Sequence, residues 1–129
     1  MRPPLFVLYV ADQARSAAFY RAVLQREPIL DVPGMTQFAL GEGALLGLMP
    51  ATGIERLLPI QTGTLPRAEL YLVVPDAMAA HERALRAGAR ELSPLSPRNW
   101  GDLAAYSQDP DGHVLALAQG ADQDEVPAS

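Results

Sequence analysis

Six residues of this chain are of a type and in a place to do chemistry or to hold a ligand. Glu69 heads the apolar run Glu69-Leu70-Tyr71-Leu72-Val73-Val74, where a carboxylate is either a functional group, a cation-binding group, or a charge at a solvent-reachable strand end. If it faces a cavity, loss of hydration raises its pKa and makes it a plausible general base. Trp100 and Tyr106 can line a groove, since aromatic faces offer contact area and attract cations. Arg98, two residues before Trp100, either engages an anionic ligand or stays solvated. Tyr9 and Tyr71 occupy similar places in two similar strands, so one or both can face inward; otherwise they pack. The two histidines, His81 and His113, have no paired-histidine or triad spacing and are expected at the surface.

Several chemistries are excluded at once. There is no cysteine, hence no disulfide, thiolate metal site or cysteine nucleophile. Gly41-Glu42-Gly43 lacks the spacing and the following helix of a phosphate loop, and no serine-nucleophile motif is present. The net charge is −5, and all ten basic residues are scattered arginines, a poor footprint for nucleic acid. An acidic surface tolerates a cationic ligand. No apolar run reaches a membrane span, and the N-terminus lacks a signal-peptide pattern, so no membrane partner and a cytoplasmic location are expected.

The elements that must position these residues come in a repeated order. Leu5 to Val10 is a continuous apolar run that reads as a buried strand. Asp12 caps a helix from Gln13, with Pro28 beyond its end. Ile29 to Val32, Thr36 to Leu40 and Ala44 to Met49 follow as short strands separated by Pro33-Gly34 and Gly41-Glu42-Gly43. After a segment broken by Pro50, Gly53, Pro59, Gly63 and Pro66, the pattern returns. Glu69 to Val74 matches the first strand, Asp76 the cap, and Met78 to Ala87 is a helix closed by Gly88. Ala89 to Leu92, Leu103 to Gln108 and Val114 to Ala118 complete three strands, with Pro94 to Asn99 as a loop. Asp109-Pro110-Asp111-Gly112 supplies turn chemistry for a final hairpin. The chain is thus an α+β domain over residues 1–129, a β-α-β-β-β unit written twice. Its modules cover about 4–50 and 68–119, with a linker at 51–67 and a solvated tail at 120–129. Leu57, Leu58 and Ile60 in the linker are expected to lie against something. Aligning the caps sets Leu5 against Glu69, and aligning the last strands sets Gly47 against Ala116.

With that repeat in view, the chain resembles the vicinal oxygen chelate superfamily, which contains glyoxalase I, bleomycin and fosfomycin resistance proteins, and extradiol dioxygenases. The matching residues are Leu8-Tyr9-Val10-Ala11-Asp12, Ser16 and Phe19-Tyr20, then Trp100-Gly101-Asp102, Tyr106 and Asp109-Pro110-Asp111-Gly112-His113. The resemblance implies two paired modules forming a curved, partly closed sheet around a cavity, commonly completed by homodimerisation. In metal-using members it implies His, Gln or Glu ligands on the first and last strands of each module. Those positions here are Leu5, Gly47, Glu69 and Ala116, of which only Glu69 has a donor. One carboxylate does not hold a catalytic transition metal, for which three protein ligands are usual.

Two readings follow. The favoured one is a non-enzymatic, metal-free binding protein similar to the bleomycin resistance type. It has no cofactor, holds a cationic or aromatic small molecule, and uses Trp100, Tyr106, Arg98, Tyr9 and Tyr71 as ligand-binding residues. The second is a divergent lyase or dioxygenase of the glyoxalase family, with a rearranged divalent-metal site or acid/base catalysis by Glu69.

Overall fold

The structure is a computed structural model that describes residues 2–63, 66 and 68–120. The chain divides into two compact units, with the break between residues 64 and 65. The expected tail beyond Gly120 lies outside the described residues.

In the first unit, β1 (Leu5–Val10) leads into α1 (Gln13–Leu24), then β2 (Leu30–Val32), β3 (Met35–Ala39), β4 (Leu45–Pro50) and the short α2 (Ala51–Leu57). The strands form one mixed sheet in the order β1-β4-β3-β2, with β1 parallel to β4 and the other pairs antiparallel. Asp12 caps α1 as its side-chain type predicts, its Oδ1 accepting from Arg15 N at 3.0 Å. The helix buries Ser16, Ala17, Phe19, Tyr20 and Val23 on the same side of the sheet as Val10, Phe38, Leu46 and Leu48. Phe19 and Tyr20 meet edge to face at 4.9 Å. Each large side chain so buried contributes about 1.5–3 kcal/mol relative to exposure.

The second unit repeats the order: β5 (Glu69–Val73), α3 (Ala77–Arg86), β6 (Arg90–Pro97), β7 (Asp102–Gln108) and β8 (Val114–Gly120), with sheet order β5-β8-β7-β6. Asp76 accepts from Ala79 N at 3.1 Å, and the buried Gln119 side chain takes the neighbouring Ala77 N–H at 2.8 Å. Two of the orphan amides of α3 are thereby satisfied. At its other end Gly88 adopts φ +118°, so that Gly88 N reaches Leu85 O and Ala89 N reaches Ala84 O. This is a Schellman closure, which needs a residue without a Cβ penalty. Both units are mixed α+β, neither sheet closes into a barrel, and the ladders share one register. Val7 faces Gly47 in the first unit, and Tyr71 faces Ala116 in the second. No described helix is long and apolar enough to cross a membrane.

Four expectations change. The first part of the expected linker is α2, which packs on β1 and β4 through Ile54. Leu57, Leu58 and Ile60, expected to be covered, are instead exposed, Leu57 by 70%. With only seven residues, α2 turns one short face to the sheet, and Ile54 occupies it. Strand β6 runs on to Pro97 rather than stopping at Leu92. Its two prolines are tolerated because it is an edge strand, where a missing N–H costs no ladder bond, and its register slips at Ser93. His81 is not at the surface: it is 3% exposed, and its Nε2 lies 2.8 Å from Glu91 Oε1. It belongs to the same helical stripe as Ala77, Ala80 and Ala84.

Candidate functional site

The face of the second sheet turned away from α3 carries most of the residues singled out in the sequence. Tyr71, Ala116 and Tyr106 are ladder neighbours on three adjacent strands, so their side chains leave the sheet on one side in a single row. Strand spacing of about 4.8 Å sets the two tyrosine backbones about 10 Å apart across the alanine. Val73, Ala118 and Ala104 form the next row. Ala116, Ala118 and Ala104 are fully buried, so this strip of the sheet is small and apolar, with the tyrosine rings at its sides.

These rings are held by polar contacts. The Tyr71 hydroxyl donates to Asp102 Oδ2 at 2.6 Å and accepts from Trp100 Nε1 at 2.8 Å. Trp100 is 55% exposed, on the turn from Arg98 to Asp102 that Gly101 closes with φ +101°. Loss of hydration, followed by the Asp102 carboxylate, raises the Tyr71 pKa above the ordinary tyrosine value, against a smaller lowering by the Trp100 bond. At neutral pH the group is a phenol. Asp102, quoted from sequence only as part of the Trp100-Gly101-Asp102 resemblance, was not among the candidate site residues. The available signal was its position beside Trp100-Gly101 at the start of a strand, on the same side as Tyr106 by alternation.

Arg98 stacks over Tyr106, its Cζ 5.1 Å from the ring centroid. Its Nε and Nη2 donate to Ala104 O at 3.1 and 2.8 Å, and Nη2 also reaches Ser93 Oγ at 2.9 Å and Pro94 O at 3.1 Å. These bonds tie the end of β6 to β7 and fix the ring beneath. Glu69 lies exposed at the head of β5, on the same side as Tyr71, in a hollow of about 370 Å³ with Pro66, Ala68 and Val114. Tyr9 belongs to the first unit, partly buried on the same side of β1 as Leu5 and Val7. Four of the five ligand-binding candidates, Trp100, Tyr106, Arg98 and Tyr71, thus meet on one face, and Tyr9 stands on another sheet.

His113 follows a turn built by Asp109, whose Oδ1 accepts from both Asp111 N and His113 N at 2.9 Å. Gly112 completes it with φ +89°. Asp109 is buried, and this turn consumes its carboxylate.

The donor set does not fit a transition metal. A Cβ added at Gly47 would lie 3.1 Å from Leu5 Cδ1, 3.2 Å from Met35 Sδ and 3.3 Å from Val7 Cγ2. The space a ligating side chain needs there is filled by hydrocarbon and a thioether. The corresponding Ala116 is flanked by tyrosines, and among the described residues no three His, Cys, Asp or Glu side chains gather into a metal-binding group.

Comparison with known proteins agrees with the fold. A glyoxalase-related enzyme from Fulvimarina pelagi superimposes with a TM-score of 0.80 at 21% identity, over 92% of this chain and 88% of its own. A glyoxalase/bleomycin resistance protein/dioxygenase family enzyme from Burkholderia phytofirmans gives 0.79 at 16%, over 93% and 99%. Uncharacterized proteins of Mycobacterium bovis and Mycobacterium tuberculosis are each 36% identical over 67 residues, 52% of this chain. The match spans less than half the length of these relatives, 43% and 39% respectively. The glyoxalase-like domain model matches residues 6–118, and with the duplicated topology and shared register this chain belongs to that family.

Proposed function

We propose that this chain is a small-molecule-binding protein of the glyoxalase/bleomycin resistance type that works without a metal and holds a cationic or aromatic compound. One observation carries the reading: Tyr71 and Tyr106 flank Ala116, at a position where metal-using relatives are expected to carry a ligand, and the exposed Trp100 bonds to the Tyr71 hydroxyl. A ring or alkyl group of the ligand packs on the exposed Trp100 indole beside the tyrosines, and the Asp102 carboxylate supplies counter-charge. Arg98 acts as a positioning residue, because its hydrogen bonds and its stacking on Tyr106 commit it to the wall of the site. The protein works as a homodimer, as the resemblance implies.

The test uses the single tryptophan as reporter. A panel of planar aromatic cations, each paired with a neutral isostere, is titrated while Trp100 fluorescence is followed, with calorimetry as an independent measure of binding. The expected result is a saturable change in emission for the cations. Calorimetric binding with unchanged emission would move the site away from Trp100, and no binding across the panel would defeat the ligand class.

A second reading rests on Glu69, whose side chain lies on the same side of β5 as Tyr71. A divergent lyase or dioxygenase would use it as acid or base beside bound ligand. Turnover that is lost in Glu69→Gln while ligand affinity is kept would favour this reading over sequestration.

A further inference from the structure

A cleft of about 530 Å³ lies between α1 and the edge strand β2, on the side of the first sheet opposite Leu5 and Gly47. One wall is a stripe of α1, where Gln13, Ala17 and Arg21 are spaced four residues apart and share a face. The other is Asp31, Val32 and Pro33. Gln13 has committed both ends of its amide: Nε2 donates to Val32 O at 2.9 Å and to Thr36 Oγ1 at 2.8 Å, while Oε1 accepts from Gly34 N at 2.9 Å. These three bonds fasten the β2–β3 turn to the helix and fix the width of the cleft. Ala17, small and nearly buried, lies between Gln13 and Arg21 along that wall.

Charge in the cleft is of both signs and only partly used. Asp31 spends Oδ1 on the Thr36 hydroxyl at 3.0 Å, and Asp12 spends Oδ1 on Arg15 N, so each keeps an oxygen with no hydrogen bond among the described residues. Arg21 spends Nε on Glu27 at 3.0 Å, and its two terminal nitrogens make no hydrogen bond among the described residues. Arg21 lines the cleft on the face of α1 that also carries Gln13. Spare acceptors and spare donors therefore line one hollow, whose size falls in the range of small-molecule sites.

We propose that this cleft binds a small zwitterion, its ammonium group against Asp31 and Asp12 and its carboxylate against Arg21, short peptides with free termini being the matching class. A molecule with one charge satisfies one end and leaves the opposite group facing an unmatched ligand, which sets specificity as well as affinity. The cleft is lined by residues of the first unit alone.

The test is a titration of the isotopically labelled full chain with triglycine, followed by amide nuclear magnetic resonance, with N-acetyl-triglycine and triglycine amide as controls. Triglycine is expected to move the Ala14, Ala17 and Gly34 amides, and each capped peptide to bind about tenfold more weakly. Arg21→Gln should erase the preference over the amide, and Asp31→Asn the preference over the acetyl form. Both positions are at the surface, and dispersion of the same spectra reports that the variants fold. Absence of shifts at these amides, capped peptides that bind as tightly as triglycine, or preferences unchanged in the variants would overturn the site.

Discussion

Tyr71 shows how one side chain is tuned by its neighbours. Its hydroxyl donates to Asp102, and ionisation would place a phenolate beside that carboxylate, so both loss of hydration and charge repulsion oppose it. The folded-state pKa is raised above the unfolded value, so the stability this contact contributes is present below about pH 10 and is lost as pH rises through the folded value. Difference titration of the phenolate absorbance, wild type minus Tyr71→Phe, is expected to give a midpoint above that of tyrosine in the unfolded chain. Asp102→Asn, which removes the charge, should lower that midpoint. A midpoint at or below the unfolded value would refute the coupling between the two groups, and with it the placement of Asp102 as the counter-charge of the site.

Secondary elements are where sequence and structure compare most directly. Asp12 and Asp76 were legible as caps because the chemistry is local: a short acceptor ahead of a helical run. Asp12→Ala and Asp76→Ala should each cost about 1 kcal/mol in urea unfolding. The Asp109 turn and the duplicated strand order were legible for the same reason, since turn residues and alternation act within a few positions. What escaped was decided at longer range. His81 looks solvent-bound as an isolated polar residue, yet it completes the alanine stripe of α3, and Glu91 on β6 satisfies one of its nitrogens. His81→Ala should therefore cost about 2–4 kcal/mol, more than either cap, through the lost side-chain packing and the lost bond. Glu91→Gln keeps an acceptor and should cost less than about 1 kcal/mol. Equal losses for His81→Ala and Asp76→Ala would mean that α3 is held without its buried histidine. Asp102 escaped for a related reason, because its role depends on Tyr71 two strands away, and the wall-forming role of Arg98, a residue already singled out, depends on a β6 longer than expected.

At the scale of the whole molecule, the family's usual chemistry meets a chain in which several of the usual donors are absent or already bonded. There is no cysteine; His81 is buried against Glu91; Asp109 is consumed by its turn; the last-strand positions are Gly47 and Ala116. Carboxylates abound, but the described ones do not gather in threes. Metal binding would reveal itself by linkage, because any ion that prefers the folded state adds RT ln(1 + [L]/Kd) to stability. At a hundredfold excess over Kd that is about 2.7 kcal/mol, which for a chain of this size raises the melting temperature by more than about 5 °C. Thermal unfolding with added Zn, Ni, Mn or Fe(II) is expected to show no such rise, chelator should cause no fall, and elemental analysis of protein purified without chelator should find no stoichiometric metal. Near one equivalent per chain, with a matching rise in melting temperature, would restore a metal-dependent reaction and make Glu69 the first ligand to examine. A melting temperature that instead climbs with an aromatic cation, and falls back when Asp102→Asn is tested under the same conditions, would tie the stabilisation to the tyrosine-lined face.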